Sequence, residues 1–166
     1  MFLLPDIKLD RVTEITPELL KEKGIRALIL DVDNTLSTHH GQHLTDGLEE
    51  WLQLMRTNEI KLTVLSNSNN KRLAPFAAKI GLDYISLGLK PLPFGYWRAI
   101  KALGTDKKET AIVGDQIFTD TAGGNIVGLT TILLTPIKPE DSPRFKFKRR
   151  IEKIVLKHYN VQKTEV

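Results

Sequence analysis

The chain contains no cysteine and no long apolar run, and both absences narrow the classes of protein to which it can belong. Without cysteine there are no disulfides and no thiolate metal sites, which fits a reducing compartment. No apolar stretch approaches the roughly 18 residues that indicate a membrane-spanning helix. Residues 1–6 lack a basic leader and a long apolar stretch, so we expect no signal peptide and a cytoplasmic protein.

What the chain does contain is the composition of a globular protein. Of its 166 residues, 41% are hydrophobic and 27% are charged. This length is sufficient for one domain with a sizeable core. No repeat, low-complexity tract or linker divides the sequence, so we expect a single domain over residues 1–166.

Short apolar strands alternate with amphipathic helices along the chain. The predicted strands are residues 25–32, 60–65, 84–86, 111–114 and 131–134. Helical spacing of apolar residues, with proline or a capping residue before it and glycine after it, predicts the helices between them. The alternation predicts an α/β fold of three layers, in which helices cover both faces of a mostly parallel five-stranded sheet.

Two aspartates, Asp31 and Asp33, stand two residues apart where the first predicted strand ends. Residues i and i+2 of a strand point to the same side, so the two carboxylates can converge on one point. Paired carboxylates repel each other unless a cation or a shared proton lies between them. The pair is therefore a candidate functional site, although an aspartate-rich turn can also simply cap the following helix.

Three further predicted strands also end in chemically useful residues. Ser66 and Asn67 follow the second strand, Lys90 follows the third, and Asp115 and Asp120 follow the fourth. Ligands of open α/β sheets bind outside the carboxyl ends of the strands. One rim of the sheet is therefore expected to gather a carboxylate pair, a hydroxyl, an ammonium group and further carboxylates.

Four motifs in this order resemble those of the haloacid dehalogenase (HAD) superfamily of phosphohydrolases. They are DVDNTL at 31–36, LSNS at 65–68, LKP at 89–91 and GDQIFTD at 114–120. Each lies at the end of a predicted strand, and together they are far more specific than any one alone. The overall layout is also similar to that of YqeG-type phosphatases of subclass IIIA and of mitochondrial phosphatidylglycerophosphate phosphatases.

The resemblance implies catalysis through an aspartyl-phosphate. Asp31 would attack phosphorus, and its carboxylate is already ionised at neutral pH. Asp33 would protonate the leaving oxygen and then accept a proton from the attacking water. Mg²⁺ would be held by Asp31, the backbone carbonyl of Asp33 and Asp115, since this ion prefers oxygen ligands. The cation would let an anionic nucleophile approach an anionic phosphate.

The resemblance assigns the remaining polar residues to phosphate binding. Ser66 would donate a hydrogen bond to a phosphoryl oxygen, helped by backbone N–H groups near Asn67. Lys90 would balance the charge of the transferring group, and Asp120 would orient Lys90 or a metal-bound water. The alternatives are structural: Lys90 as an exposed loop residue, and Ser66 or Asp120 as helix caps.

Three histidines, His39, His40 and His43, lie in the loop after the predicted nucleophile strand. Their spacing does not match a helical pair of histidine ligands with a catalytic glutamate between them. We therefore expect surface histidines there rather than a metal site, with contact to the substrate as the alternative.

The inserted domains that usually select the substrate in this superfamily have no room in this chain. Only 32 residues separate Asp33 from Ser66 and only 23 separate Ser66 from Lys90, and predicted elements fill both gaps. A folded cap domain needs roughly 50 residues. We therefore expect an open active site without a cap domain, which suits a phosphate on a large substrate such as a lipid head group.

Positive charge is concentrated towards the carboxyl end. The net charge is +4, and nine lysines and arginines lie between residues 138 and 163. Such a patch can contact anionic lipid, nucleic acid or an acidic protein, or it can simply be solvated. Because the site is expected to be open, we favour the inner face of a membrane as the partner and nucleic acid less. A predicted basic helix at about 145–158 would contact the membrane surface peripherally.

The leading functional hypothesis is a Mg²⁺-dependent phosphomonoesterase that acts on phosphatidylglycerophosphate at a membrane surface. One alternative is a soluble phosphatase for a sugar phosphate or nucleotide, with a lid supplied by a partner subunit. Another is a non-catalytic HAD protein that binds RNA or a ribosomal particle. A signalling receiver domain is disfavoured because both leading carboxylates share one strand end. The sequence leaves the oligomeric state open.

Overall fold

A computed structural model of the chain describes residues 2–38, 43–138 and 141–164, with side chains up to residue 158. Six strands form one sheet, in the order β1-β6-β5-β2-β3-β4, and every neighbouring pair is parallel. The strands are β1 (Ile7–Leu9), β2 (Ala27–Leu30), β3 (Lys61–Leu65), β4 (Tyr84–Ile85), β5 (Thr110–Gly114) and β6 (Thr130–Leu134). The predicted parallel sheet is confirmed.

Helices connect the strands and complete the layers. They are α1 (Pro17–Glu22), α2 (Leu48–Thr57), α3 (Asn70–Ile80), α4 (Pro93–Leu103), α5 (Ala122–Val127) and α6 (Pro143–Thr164). Short 3₁₀ turns occur at Val12–Glu14 and Lys107–Glu109, and a π-helical turn occupies Ile117–Thr121. The last helix is thus longer at both ends than the predicted range of 145–158.

The central strand β2 shows why helices are needed on both sides of the sheet. All four of its residues are buried, and alternate side chains face opposite layers. Leu28 and Leu30 pack in a cluster with residues of α1, α2 and α3. Ala27 and Ile29 pack in a second cluster with residues of α4 and α5. The predicted three-layer α/β/α arrangement is therefore confirmed.

The number of strands differs from the prediction of five, because β1 is a sixth. This strand has only three residues and pairs with β6 at the edge of the sheet. Lys8 is exposed between the half-buried Ile7 and Leu9. Three residues are too few for an alternating pattern to stand out from the sequence.

The segments between the motif residues hold the elements of the core. From Asp33 to Ser66 the described residues form α2 and β3, and from Ser66 to Lys90 they form α3 and β4. Neither segment contains an inserted domain within the described residues. The carboxyl edge of the sheet is therefore not covered by a cap from this part of the chain.

A helix that crosses a membrane must be both long and apolar. Among the helices of the described residues, none combines the length and the apolar character that crossing a bilayer requires.

Candidate active site

Side chains from four strand ends meet at the carboxyl edge of the sheet. Asp31 directly follows β2, Ser66 directly follows β3, and Asp115 directly follows β5. Because β2 pairs with both β3 and β5 in parallel register, these three ends lie side by side. Lys90 lies in the loop that follows β4, and β4 is the neighbour of β3 at the edge of the sheet. The structure thus brings together the strand-end residues that the sequence singled out.

Lys90 lies between two carboxylates in the interior of the site. Its Nζ donates to Oδ1 of Asp31 at 2.6 Å and to Oδ1 of Asp120 at 2.7 Å. The Lys90 side chain is only 3% exposed. Burial opposes its charge, but the nearby Asp120 and Asp31 outweigh burial and raise the pKa of Lys90 above its usual value. Lys90 is therefore a buried, permanently charged group and not an exposed loop lysine.

Asn67 fixes the backbone that carries Lys90. Its Oδ1 accepts from the backbone N–H of Lys90 at 2.7 Å, and its Nδ2 donates to the Lys90 carbonyl at 3.1 Å. Leu87 and Leu89, on either side of Gly88, have φ values of 48° and 55°, in the left-handed region that is unfavourable for leucine. The loop is therefore held in one specific conformation, and Asn67 contributes through a side-chain contact that the sequence did not predict.

Asp120 is positioned by the π-helical turn after β5. Its Oδ2 accepts from the backbone N–H of Gln116 at 3.2 Å, while Oδ1 binds Lys90. A Cβ at Gly114 would lie 2.2 Å from the Asp120 carboxyl carbon, so only glycine leaves room for this side chain. Asp120 thus pairs with Lys90 inside the site and also caps the start of the π-helical turn through Gln116. That Asp120 orients Lys90 during catalysis stays a prediction.

Three buried carboxylates form a cluster that suits a divalent cation. Asp31, Asp115 and Asp120 each offer an oxygen within 4.8 Å of the others. Oδ1 of Asp115 is buried and accepts no hydrogen bond from the described residues. An oxygen-only donor set with one unsatisfied oxygen fits a hard cation such as Mg²⁺. Asp120 belongs to this cluster as well, although both of its oxygens already accept hydrogen bonds, from Lys90 and from Gln116.

The pKa values of two of these carboxyls are shifted towards the neutral form. Burial raises the pKa of Asp31 to about 7, and Asp120 and Asp33 add to this rise while Lys90 counteracts it. Burial also raises the pKa of Asp115 well above its usual value; Asp31 adds to this rise, and Arg149 opposes it. The cluster therefore resists holding all its negative charges unless a further cation compensates them. Without such a cation the Asp31 carboxyl is only partly ionised at neutral pH, and not fully ionised as the sequence analysis expected.

The carboxylate of Asp33 is not part of the cluster of three carboxylates, and it contacts Arg72 of α3. Arg72 also donates to Oγ of Ser68 at 2.9 Å. The Ser66 side chain, which is buried, accepts from the backbone N–H of Ser68 at 3.1 Å. Asp33 and Ser66 thus lie on the α3 side of the site, where Arg72 adds a positive charge that the sequence analysis did not assign.

Helix α6 contributes two residues that the sequence analysis missed. Arg149 contacts Oδ2 of Asp115 at 2.5 Å and the Asp115 carbonyl at 2.8 Å. Glu152 accepts from Arg149 at 2.7 Å and from the backbone N–H of Ile117 at 3.1 Å. The available signal was Glu152 itself, the sole acidic residue between positions 142 and 164. Part of the basic helix therefore braces the loop after β5.

Of the three loop histidines, the structure describes His43. His43 is exposed, in agreement with the expected surface position. His39 and His40 lie outside the described residues.

Comparisons with known proteins agree with this geometry. A profile of haloacid dehalogenase-like hydrolases matches residues 17–128. The chain is 36% identical over 155 residues to the "Probable phosphatase YqeG" of Bacillus subtilis, covering 93% of this chain and 90% of that protein. The chain therefore belongs to the haloacid dehalogenase-like hydrolase family, and it is a phosphatase.

Two further similarities are more distant. The chain is 28% identical over 170 residues to "Phosphatidylglycerophosphate phosphatase 1, chloroplastic/mitochondrial" of Arabidopsis thaliana, covering 95% of this chain and 48% of that protein. A HAD family hydrolase from Deinococcus radiodurans, solved with bound phosphate and sodium, superposes with a TM-score of 0.60 at 18% identity. That alignment covers 72% of this chain and 85% of the other, and it shows a shared fold.

The raised pKa values predict that divalent metal binding releases protons. Near pH 6 the Asp31 carboxyl, with its pKa of about 7, is mostly protonated in the metal-free protein, and a cation must displace that proton. Mg²⁺ affinity should therefore rise from pH 6 to pH 8, by up to about tenfold per pH unit for each proton released. Calorimetry in buffers of different ionisation enthalpy measures the protons. The Asp31→Asn variant should release fewer protons on binding Mg²⁺. A Mg²⁺ affinity that does not change with pH would contradict the prediction.

Proposed function

We propose that the chain is a Mg²⁺-dependent phosphomonoesterase that forms an aspartyl-phosphate on Asp31 and acts on phosphatidylglycerophosphate at a membrane surface. The observation that carries the chemistry is the buried ion triad of Asp31, Lys90 and Asp120 beside the unsatisfied oxygen of Asp115. A nucleophile, a cation for the phosphoryl oxygens and a metal ligand are thus adjacent. These are the parts that phosphoryl transfer requires.

The reaction has two half-reactions. A carboxylate oxygen of Asp31 forms a bond to phosphorus while the bond from phosphorus to the leaving oxygen breaks, and Asp33 gives that oxygen a proton. Water then attacks phosphorus, Asp33 takes a proton from it, and the bond from Asp31 to phosphorus breaks. Inorganic phosphate leaves and the Asp31 carboxylate is restored.

Two residues would bind the transferring phosphoryl group. Lys90 would donate to its oxygens from a position already within hydrogen-bond distance of Asp31, and Ser66 would donate from the end of β3. Asp120 would keep Lys90 in place. Mg²⁺, held by Asp31, the Asp33 carbonyl and Asp115, would supply charge neutralisation between the nucleophile and the phosphate.

An exposed apolar surface around Lys90 supports a lipid substrate. We call it the apolar rim, and it consists of Leu87, Leu89, Leu92, Phe94 and Trp97, each between 51% and 58% exposed. The rings of Phe94 and Trp97 pack edge to face, with centroids 5.8 Å apart. Exposed clusters of this kind mark contact surfaces rather than ordinary solvated surface. The apolar rim flanks the residue that would bind the phosphate.

The charges near the apolar rim favour an anionic lipid surface as its partner. Arg98 and Lys101 are exposed and continue the stripe of Phe94 and Trp97 on α4, at helical spacing. Residues 84–105 contain no aspartate or glutamate. Aromatic side chains with adjacent cations are typical of interfacial membrane contact. Two copies facing each other through this surface would instead bring like charges together.

The basic helix α6 has a second role beside membrane contact. Arg149 binds Asp115, and Lys148 donates to Gln116 at 2.5 Å, so two of its cations face the site. The other cations of α6 whose side chains the structure describes, Arg144, Lys146, Arg150, Lys153 and Lys157, are exposed. We infer that they add to the attraction for anionic lipid while the apolar rim makes the closer contact.

Substitution of the two leading aspartates tests the mechanism. Asp31→Asn should abolish turnover and phosphoenzyme formation, because an amide cannot form the acyl phosphate. Asp33→Asn should lower kcat by about 10²- to 10⁴-fold, since it removes the proton donor. Rapid-quench labelling with a phosphate-labelled substrate measures both effects, and circular dichroism checks the fold. Full activity of Asp31→Asn would rule out this nucleophile.

Vesicle assays test the lipid assignment. Phosphatidylglycerophosphate in anionic vesicles should be hydrolysed with a higher kcat/KM than glycerol 3-phosphate or p-nitrophenyl phosphate. The double variant Phe94→Ser/Trp97→Ser should lower vesicle binding and lipid turnover by about tenfold or more, since it removes two large apolar contacts. Activity on p-nitrophenyl phosphate should stay within about twofold.

Leu54→Ser is the matched control, because Leu54 is 44% exposed on α2, outside the apolar rim. Faster hydrolysis of a soluble ester than of the lipid would remove the lipid assignment. The wild-type protein could instead be a dimer that Phe94→Ser/Trp97→Ser converts to an inactive monomer. That result would show that a partner subunit binds the apolar rim and covers the active site.

A further inference from the structure

A cleft runs from the proposed general acid along helix α3. It has a volume of about 250 Å³, and it is lined by Asp33, by Ser66 and by residues of α3 that include Arg72, Phe76 and Lys79. We call it the α3 cleft. It is separate from the carboxylate cluster, whose residues Asp31, Asp115 and Asp120 do not line it.

The mechanism places the leaving group in this cleft. The leaving oxygen receives its proton from Asp33, so the alcohol that it belongs to lies against Asp33. Asp33 and Ser66 both line the α3 cleft, and the remainder of the alcohol can extend along α3. This step rests on the proposed function, because it takes Asp33 as the proton donor.

The lining of the cleft suits an anionic group on a short carbon chain. Leu73 and Phe76 are buried, at 2% and 8% exposure, and provide an apolar wall. Arg72 and Lys79 are exposed cations seven residues apart, on one helix face and about 10 Å apart along the axis. Helix α3 itself contains no acidic residue. Among the residues that the structure describes, Asp33 is thus the one carboxylate that lines the cleft, and it is close to Arg72.

Arg72 and Lys79 differ in the contacts that their side chains already make. Arg72 contacts Asp33 and Ser68. Lys79 forms no ion pair or side-chain hydrogen bond with any of the described residues. An anion entering the cleft therefore meets an unpaired ammonium group two helical turns beyond Arg72, which contacts the proposed general acid.

We propose that the α3 cleft is a leaving-group subsite for a second anionic group, and that Lys79 determines specificity for it. The substrate class is a phosphomonoester whose alcohol carries another phosphate, as a diester or monoester, that can reach Lys79 along the cleft. Such a molecule can be the head group of a phospholipid or a soluble polyol with two phosphates. Both share the chemistry that Lys79 would recognise.

Charge reversal at Lys79 tests the proposal, with Lys71→Glu as the matched control. Both lysines are exposed on α3, but Lys71 does not line the cleft. The substrates are vesicle-borne phosphatidylglycerophosphate, its deacylated head group, and glycerol 3-phosphate, which has no second anion. Lys79→Glu should lower kcat/KM by about tenfold for both two-phosphate substrates, chiefly through KM, because attraction becomes repulsion. Glycerol 3-phosphate should change by less than about twofold.

The three substrates distinguish failure of the subsite from failure of the proposed function. Equal losses for the deacylated head group and the vesicle substrate support the subsite. A loss of kcat/KM confined to the vesicle substrate would mean that Lys79 contacts the membrane. A loss no larger than that of Lys71→Glu would mean that Lys79 contacts no part of the substrate. Either result would overturn the subsite. Absence of hydrolysis of all three esters by the wild-type protein would refute the proposed phosphatase function instead.

Discussion

The ion triad of Asp31, Lys90 and Asp120 is the interaction on which the rest of the site depends. Two carboxylates at the same buried point would repel each other, and a single ammonium group binds both at 2.6 and 2.7 Å. Removing one partner of such a buried pair typically costs about 3–5 kcal/mol, because the other charge is left uncompensated. The triad can therefore exist only if the backbone places all three side chains closely, which explains the glycine at Gly114 and the contacts of Asn67.

The fold supplies this placement by its strand order. The neighbouring strands β5, β2 and β3 end side by side, while helices on both faces bury the sheet and leave its carboxyl edge to the loops. Negative charge then exceeds what Lys90 balances, so Arg149 pairs with Asp115 and Arg72 with Asp33. One oxygen of Asp115 is still unsatisfied. A divalent cation fits this remaining imbalance.

The strands of the core and the residues at their ends could be predicted because local patterns encode them. Asp31, Ser66, Lys90 and Asp115 each follow an apolar run, and the parallel sheet brings such positions together. The three-residue strand β1 carries no such pattern. The contact of Arg149 with Asp115 joins residues 34 positions apart and depends on how α6 packs, which no local periodicity describes. The exposure of the apolar rim was likewise hidden, because apolar residues at helical spacing, such as Phe94 and Trp97, are equally typical of a helix face that packs on the core.

A crystal structure with Mg²⁺ and a phosphate mimic such as beryllium fluoride tests the central claim most directly. We predict the mimic on a carboxylate oxygen of Asp31, within hydrogen-bond distance of Lys90 and of Ser66, and the metal ion on Asp31 and Asp115. Lys90 should keep its contact with Asp120 in that complex. A mimic bound away from Asp31, or a complex in which Lys90 contacts neither the mimic nor Asp120, would contradict the account.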